Sequence, residues 1–163
     1  MNGPIVNLIK STKEWPLNCN ENLMKHNKLT TRIIRKAKDR INSLHMLTCY
    51  DFQTAQLLNE TSLDLILVGD SLGNVILGYE NTISVTLEDM ITFGAAVKRG
   101  APDKFTIVDM PFGTYASLET GTQNAITLFQ KTSTEAIKIE GASEDHCTLI
   151  KKLTEVGIPV MEH

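Results

Sequence analysis

Four times along this chain a short apolar run gives way to a turn and then to a segment with helical spacing, and a fifth run follows the last of them. The runs are Leu44–Cys49, 64–69, 105–109, 136–140 and a stretch opening at Pro159-Val160-Met161. Such alternation predicts parallel strands joined by crossover helices, an α/β fold. Both faces of a parallel sheet are covered, so a charged side chain within a strand must be paired or used. The alternation fits a doubly wound sheet or the wall of a barrel. A complete (β/α)₈ barrel takes roughly 250 residues and no fewer than about 200. The 163 residues here could supply only some five of its strands.

The connecting segments carry their own start and stop signals. Asp51 is placed to cap a helix carrying Ala55, Leu57 and Leu58. Thr86-Leu87-Glu88-Asp89 opens a helix with Met90, Ile91, Ala95 and Val97 inward, ending near Gly100. Further helices are expected from Ser117 to Lys131 and from Glu144 to Glu155, with Gly157 just past the second. Leu72 to Ser84, with Gly73 and Gly78, reads as a long loop, and loops of that length are usually functional. Thr30-Thr31-Arg32 caps a short helix with Ile33, Ile34, Ala37 and Ile41 on one face and Arg32, Arg35, Lys36 and Lys38 on the other. Residues 1–27 contain Pro4, Pro16 and scattered asparagines with neither strand nor helix spacing, and are expected to be a poorly ordered extension.

Three of the runs end in a carboxylate: Asp70, Asp109 and Glu140. On parallel strands all three fall on one rim of the sheet, where α/β proteins place their chemistry. An Asp directly after a strand also caps a helix or makes an Asx-turn, and that simpler role is open to Asp70 and Asp109 singly. Three acids at equivalent positions repel one another unless a cation lies between them. Oxygen ligands suit Mg²⁺, which keeps positions free for the keto and carboxylate oxygens of a 2-oxo acid and acts on them as a Lewis acid. Lys138 shares a strand face with Glu140. The two mark either a site on an inner strand or the wet face of an edge strand. His163 falls on the same rim, as a ligand-facing group or a frayed end.

Other function classes find no support. The net charge is −3, and no basic stripe with interleaved aromatics points to nucleic acid. No apolar stretch approaches the ~18 residues of a membrane span, and the N-terminus lacks a signal-peptide core. Cys19, Cys49 and Cys147 form no C-x-x-C pair and read as thiols of a reducing, cytoplasmic compartment. Phosphate-loop, dinucleotide and nucleophile-elbow signatures are absent. His26, His45 and His146 have no partner spacing, and Tyr50, Tyr79 and Tyr115 read as packing residues.

Several stretches, in order, resemble the ketopantoate hydroxymethyltransferase family. They are residues 46–52 (MLTCYDF), 65–73 (LILVGDSLG), 85–90 (VTLEDM), 99–102 (RGAP), 108–113 (VDMPFG), 137–141 (IKIEG) and 158–161 (IPVM), with His163 following. The resemblance runs near-colinearly from about residue 28 to 163. It implies a (β/α)₈ TIM barrel, here the N-terminal part with about five strands, related to the phosphoenolpyruvate mutase and isocitrate lyase superfamily. It implies transfer of a hydroxymethyl group from 5,10-methylenetetrahydrofolate to 3-methyl-2-oxobutanoate, giving 2-dehydropantoate on the way to pantothenate and coenzyme A. By motif, Asp70, Asp109 and Glu140 are expected around Mg²⁺. Asp70, Ser71, Asp109 and Lys138 are expected to contact the oxo acid, and His163 matches the family's histidine. Homo-oligomers, often decamers, are expected.

The chain also departs from the family. The family's catalytic base, a glutamate beyond the fifth strand, has no counterpart in the chain. The 163 residues alone are therefore expected to be inactive, as a fragment or a truncated product. A truncated remnant that binds metal or a full-length partner, and another Mg²⁺-dependent 2-oxo acid lyase, are the alternative expectations. Glu162 stands where the family has glycine, which would add negative charge near the site. Thr61-Ser62 and Thr132-Ser133 replace glycine at helix ends, where a left-handed residue is expected at a cost of order 1 kcal/mol.

Overall fold

The computed structural model describes residues 28–37 and 43–163. The extension expected over 1–27 lies outside the described residues, as do Lys38 and Ile41 of the first helix. The elements are α1 (Thr31–Arg35), β1 (Met46–Thr48), α2 (Phe52–Asn59), β2 (Leu65–Val68), α3 (Leu72–Val75), α4 (Leu87–Gly100), β3 (Phe105–Asp109), α5 (Leu118–Thr132), β4 (Ala136–Ile139), α6 (Glu144–Glu155) and β5 (Val160–Glu162). All five strands pair in parallel, in the order β1-β2-β3-β4-β5.

That order separates the two architectures left open by the alternation. Right-handed crossovers that always step in one direction put every helix on the same face of the sheet. A doubly wound sheet needs a point where the strand order reverses, and none occurs here. The chain is five consecutive strands of a barrel wall.

Side-chain alternation then divides the apolar residues into two clusters. Ile66, Val68, Val108, Ile137 and Ile139 pack outward against Ala55 of α2, Met90 and Val97 of α4, Leu128 of α5 and Leu149 and Leu153 of α6. Leu65, Phe105, Ile107 and Ala136 form the inner cluster, with Leu67 and Met161 against it. Each fully buried aliphatic side chain contributes about 1.5–3 kcal/mol, so the outer layer dominates stability. Neighbouring helices pack in sequence, α2 on α4, α4 on α5 and α5 on α6.

Local signals explain the helix boundaries. Asp51 Oδ1 accepts from Thr54 N–H at 2.8 Å and starts α2. Thr86 and Asp89 form a reciprocal capping box at the start of α4. Helix α6 spans the expected residues, and Gly157 follows it at φ 92°.

Four details differ from expectation. First, Leu72–Ser84 is not an unbroken loop, because it holds α3 and a 3₁₀ turn at Thr82–Ser84; elements of three or four residues are too short to show a period. Second, α4 ends at Gly100 as expected, but this glycine serves a helix contact and not a left-handed turn. A Cβ there would lie 2.5 Å from the Phe52 carbonyl oxygen and 2.7 Å from Ala55 Cβ, so the glycine lets α4 touch α2. Third, Ile91 and Ala95 are half-buried, and Gly94 takes the buried position between them. Fourth, Ser133 is left-handed, at φ 57°, whereas Thr61 and Ser62 are not. At the end of α2, Thr61 Oγ1 donates to the Leu58 carbonyl and accepts from Leu63 N–H. The buried Lys104 ammonium donates to the Thr61 carbonyl at 2.7 Å. Side chains there replace a glycine cap.

Candidate functional site

Register decides which side chains meet on the rim. Asp109 of β3 lies directly opposite Lys138 of β4, and Lys138 opposite Met161 of β5. Met161 packs on the inner face, so Asp109 and Lys138 also face inward. Strand β4 lies between β3 and β5 with all four residues buried, which removes the edge-strand reading.

Lys138 Nζ donates to Glu140 Oε1 at 2.6 Å and to Asp109 Oδ2 at 3.3 Å. The Asp109 and Lys138 side chains are buried, 8% and 10% exposed, while Glu140 reaches solvent. Burial pushes the Asp109 carboxyl up to about 6 against its ordinary 3.8, and the neighbouring Lys138 charge only partly offsets this. Burial works against the Lys138 ammonium too, but its bonds to Glu140 and Asp109 hold it above its usual value. The Lys138 hydrogen bond holds Glu140 below the ordinary carboxylate range.

Asp109 and Asp70 are not used as helix caps. Helix α5 is capped by Ser117, whose Oγ accepts from Thr120 N–H. Asp109 Oδ2 instead accepts from the Asp70 backbone N–H at 3.3 Å, tying the β2 and β3 rims together. The short helix after Asp70 starts with no side-chain cap bond. Ser71 Oγ lies 2.8 Å from the Tyr50 hydroxyl. A Cβ on Gly69 would sit 2.9 Å from Ser71 Oγ and 3.5 Å from Asp109 Oδ2. Gly69 thus keeps a small space open between that hydroxyl and that carboxylate.

His163 is pinned by its backbone. Its N–H donates to the Ile139 carbonyl, and its carbonyl accepts from Gly141 N–H. Alternation from Met161 puts its ring on the inner face. Glu162 falls on the opposite face, paired in register with Ile139 of the outer cluster. The negative charge expected from Glu162 near the site is therefore directed away from it.

The three acids share a rim without forming a cage. Among the described residues no group of three or more His, Cys, Asp or Glu side chains is gathered closely enough to hold a metal ion. The cation between Asp109 and Glu140 is the Lys138 ammonium. Even so, the donor set fits Mg²⁺. Asp109 Oδ1 is buried with no hydrogen-bond partner, an expensive state for a carboxylate oxygen and one a hard cation would relieve.

Two residues of the rim escaped sequence reasoning. Tyr50 packs against the outer cluster as expected, and its hydroxyl is also bonded to Ser71, which was not foreseen. Its position directly after β1, level with the acids after the other strands, was the available signal. Gly69 could be recognised only from the space around it. A separate apolar cleft of about 380 Å³, lined by Leu65, Phe105, Ala136 and Met161 among others, opens on the inner face towards the strands' amino ends. It holds none of the acids.

A family profile described as ketopantoate hydroxymethyltransferase matches residues 28–163. The chain is 49% identical over 130 residues to 3-methyl-2-oxobutanoate hydroxymethyltransferase of Leptospira interrogans, covering 79% of this chain and 48% of that one. It is 53% identical over 119 residues to the Thermotoga maritima protein of the same name, covering 72% and 43%. The chain thus spans about half the length of the curated relatives it matches. Among solved structures, 2,3-dimethylmalate lyase, a PEP mutase/isocitrate lyase superfamily member, aligns with a TM-score of 0.60 at 17% identity, over 80% of this chain and 50% of that one. A phosphonopyruvate hydrolase solved with oxalate and Mg²⁺ aligns with a TM-score of 0.66 at 11% identity, over 82% and 52%. At such identities the likeness is one of fold.

Proposed function

The chain belongs to the ketopantoate hydroxymethyltransferase family, and from that premise we propose that it carries the metal- and oxo-acid-binding part of a 3-methyl-2-oxobutanoate hydroxymethyltransferase. Residues 28–163 are the barrel portion, and 1–27 an extension to it. The observation that carries the proposal is Asp109: a buried carboxylate with one unpartnered oxygen, next to Lys138, on the carboxyl rim of a barrel wall.

Asp70, Asp109 and Glu140 hold Mg²⁺. When bound, the ion supplies Lewis acidity that makes a proton beside the keto group easier to remove. Lys138 compensates the carboxylate charge of 3-methyl-2-oxobutanoate. Ser71 donates a hydrogen bond to that carboxylate, and Asp70, Asp109 and His163 line its remaining sides. The carbon donor is 5,10-methylenetetrahydrofolate and the product 2-dehydropantoate, a precursor of pantothenate. The protein works as a cytoplasmic homo-oligomer.

The test is calorimetric titration of 3-methyl-2-oxobutanoate with and without Mg²⁺. Mg²⁺-dependent binding is the expected result. Binding that ignores Mg²⁺ sinks the proposed role of the three acids.

A further inference from the structure

Helices start in one manner throughout the described residues, with one exception. Thr30, Asp51, Asn81, Thr86, Ser117 and Ser143 each stand just before a helical segment, and each side chain accepts a backbone N–H of that segment. Ser71 occupies the same place before α3 and makes no such bond. Its hydroxyl is turned to the Tyr50 hydroxyl, 2.8 Å away. The two residues are far apart in sequence and belong to the rims of adjacent strands, β1 and β2. Ser71 Oγ borders the space that Gly69 leaves open, with Asp109 Oδ2 on its other side.

We propose that Tyr50 is a positioning residue that fixes the Ser71 hydroxyl as a donor to the oxo acid's carboxylate. This rests on the functional reading given above. A serine hydroxyl has a single proton. Left alone, it turns towards the nearest acceptor or caps the helix behind it. A phenol is the more acidic hydroxyl of the pair and the better donor. With the Tyr50 proton given to Ser71 Oγ, the Ser71 proton is free to point at an anionic oxygen in the space beside Gly69. Two hydroxyls in series also polarise one another, which strengthens the terminal bond. The tyrosine ring is half-buried against the outer apolar cluster, so the donor itself is held still. Tyr50 therefore acts on the oxo acid through Ser71 and has no part in holding the cation.

The experiment is a double-mutant cycle on the full chain, reading 3-methyl-2-oxobutanoate affinity with saturating Mg²⁺ and, separately, Mg²⁺ affinity without the oxo acid. The variants are Tyr50→Phe, Ser71→Ala and the two combined. Tyr50→Phe keeps the ring and loses only the hydroxyl. It is expected to weaken oxo-acid binding about 3- to 10-fold, the worth of one hydrogen bond, while Mg²⁺ affinity stays as it was. In the Ser71→Ala background the same change is expected to cost nothing further. An equal loss in both backgrounds overturns the relay, and so does a loss in Mg²⁺ affinity matching the loss for the oxo acid. Unaltered oxo-acid affinity in Tyr50→Phe overturns the relay and leaves the functional reading standing. Failure of the unsubstituted chain to bind the oxo acid with Mg²⁺ overturns both.

Discussion

Replacing Asp109 by Asn in the metal-free chain should stabilise it at neutral pH and leave it unchanged in acid. The Asp109 side chain is buried, one of its oxygens has no partner, and burial lifts its carboxyl from 3.8 to about 6. A carboxyl raised in the folded state holds its proton there more tightly than in the unfolded chain. Stability is therefore full below the unfolded value and falls as pH rises from about 4 to about 6. A shift of some two units corresponds to about 3 kcal/mol, lost by pH 7. Asparagine keeps an oxygen in place to accept from Asp70 N–H and Lys138, and Lys138 keeps its 2.6 Å bond to Glu140. The variant should then be more stable than the parent by about 2–3 kcal/mol at pH 7.5, with the two converging near pH 4. Urea denaturation in chelator at several pH values measures the difference. A gap that does not change with pH, or an asparagine variant weaker at pH 7.5, would refute the claim that burial at this strand end penalises the charged carboxylate.

Two further substitutions test the scaffold. Ser133→Gly removes a left-handed side-chain penalty at the end of α5 and should gain up to about 1 kcal/mol, read as a rise in melting temperature. Gly100→Ala puts a methyl group 2.5 Å from the Phe52 carbonyl oxygen, which is backbone and has little room to yield. It should cost about 1–3 kcal/mol by the same measurement, although alanine is the better helix former.

Capping chemistry made most helix starts readable in the sequence, because Asp51 and Thr86 act on backbone only three residues away. Alternation along β4 likewise put Lys138 and Glu140 on one face, and the shared rim of Asp70, Asp109 and Glu140 followed from strand ends alone. Contacts between distant residues were not readable. That Lys138 lies between two of the acids depends on the β3–β4 register, and the Tyr50 bond to Ser71 depends on the β1–β2 register. Gly100 marked the end of α4, but its contact with α2 was hidden, because a glycine needed for close approach and one needed for a turn are the same letter. The choice between a barrel wall and a doubly wound sheet depended on strand order, which alternation does not encode.

The central claim is that Asp109 anchors a divalent cation on this rim with Asp70 and Glu140. Calorimetric titration of Mg²⁺ into the chain, repeated with Asp109→Ala and Asp70→Ala after circular dichroism has shown both variants folded, tests it directly. The account predicts a single Mg²⁺ site in the parent, lost in Asp109→Ala and weakened in Asp70→Ala. Equal binding in all three chains, or none in the parent, would contradict it.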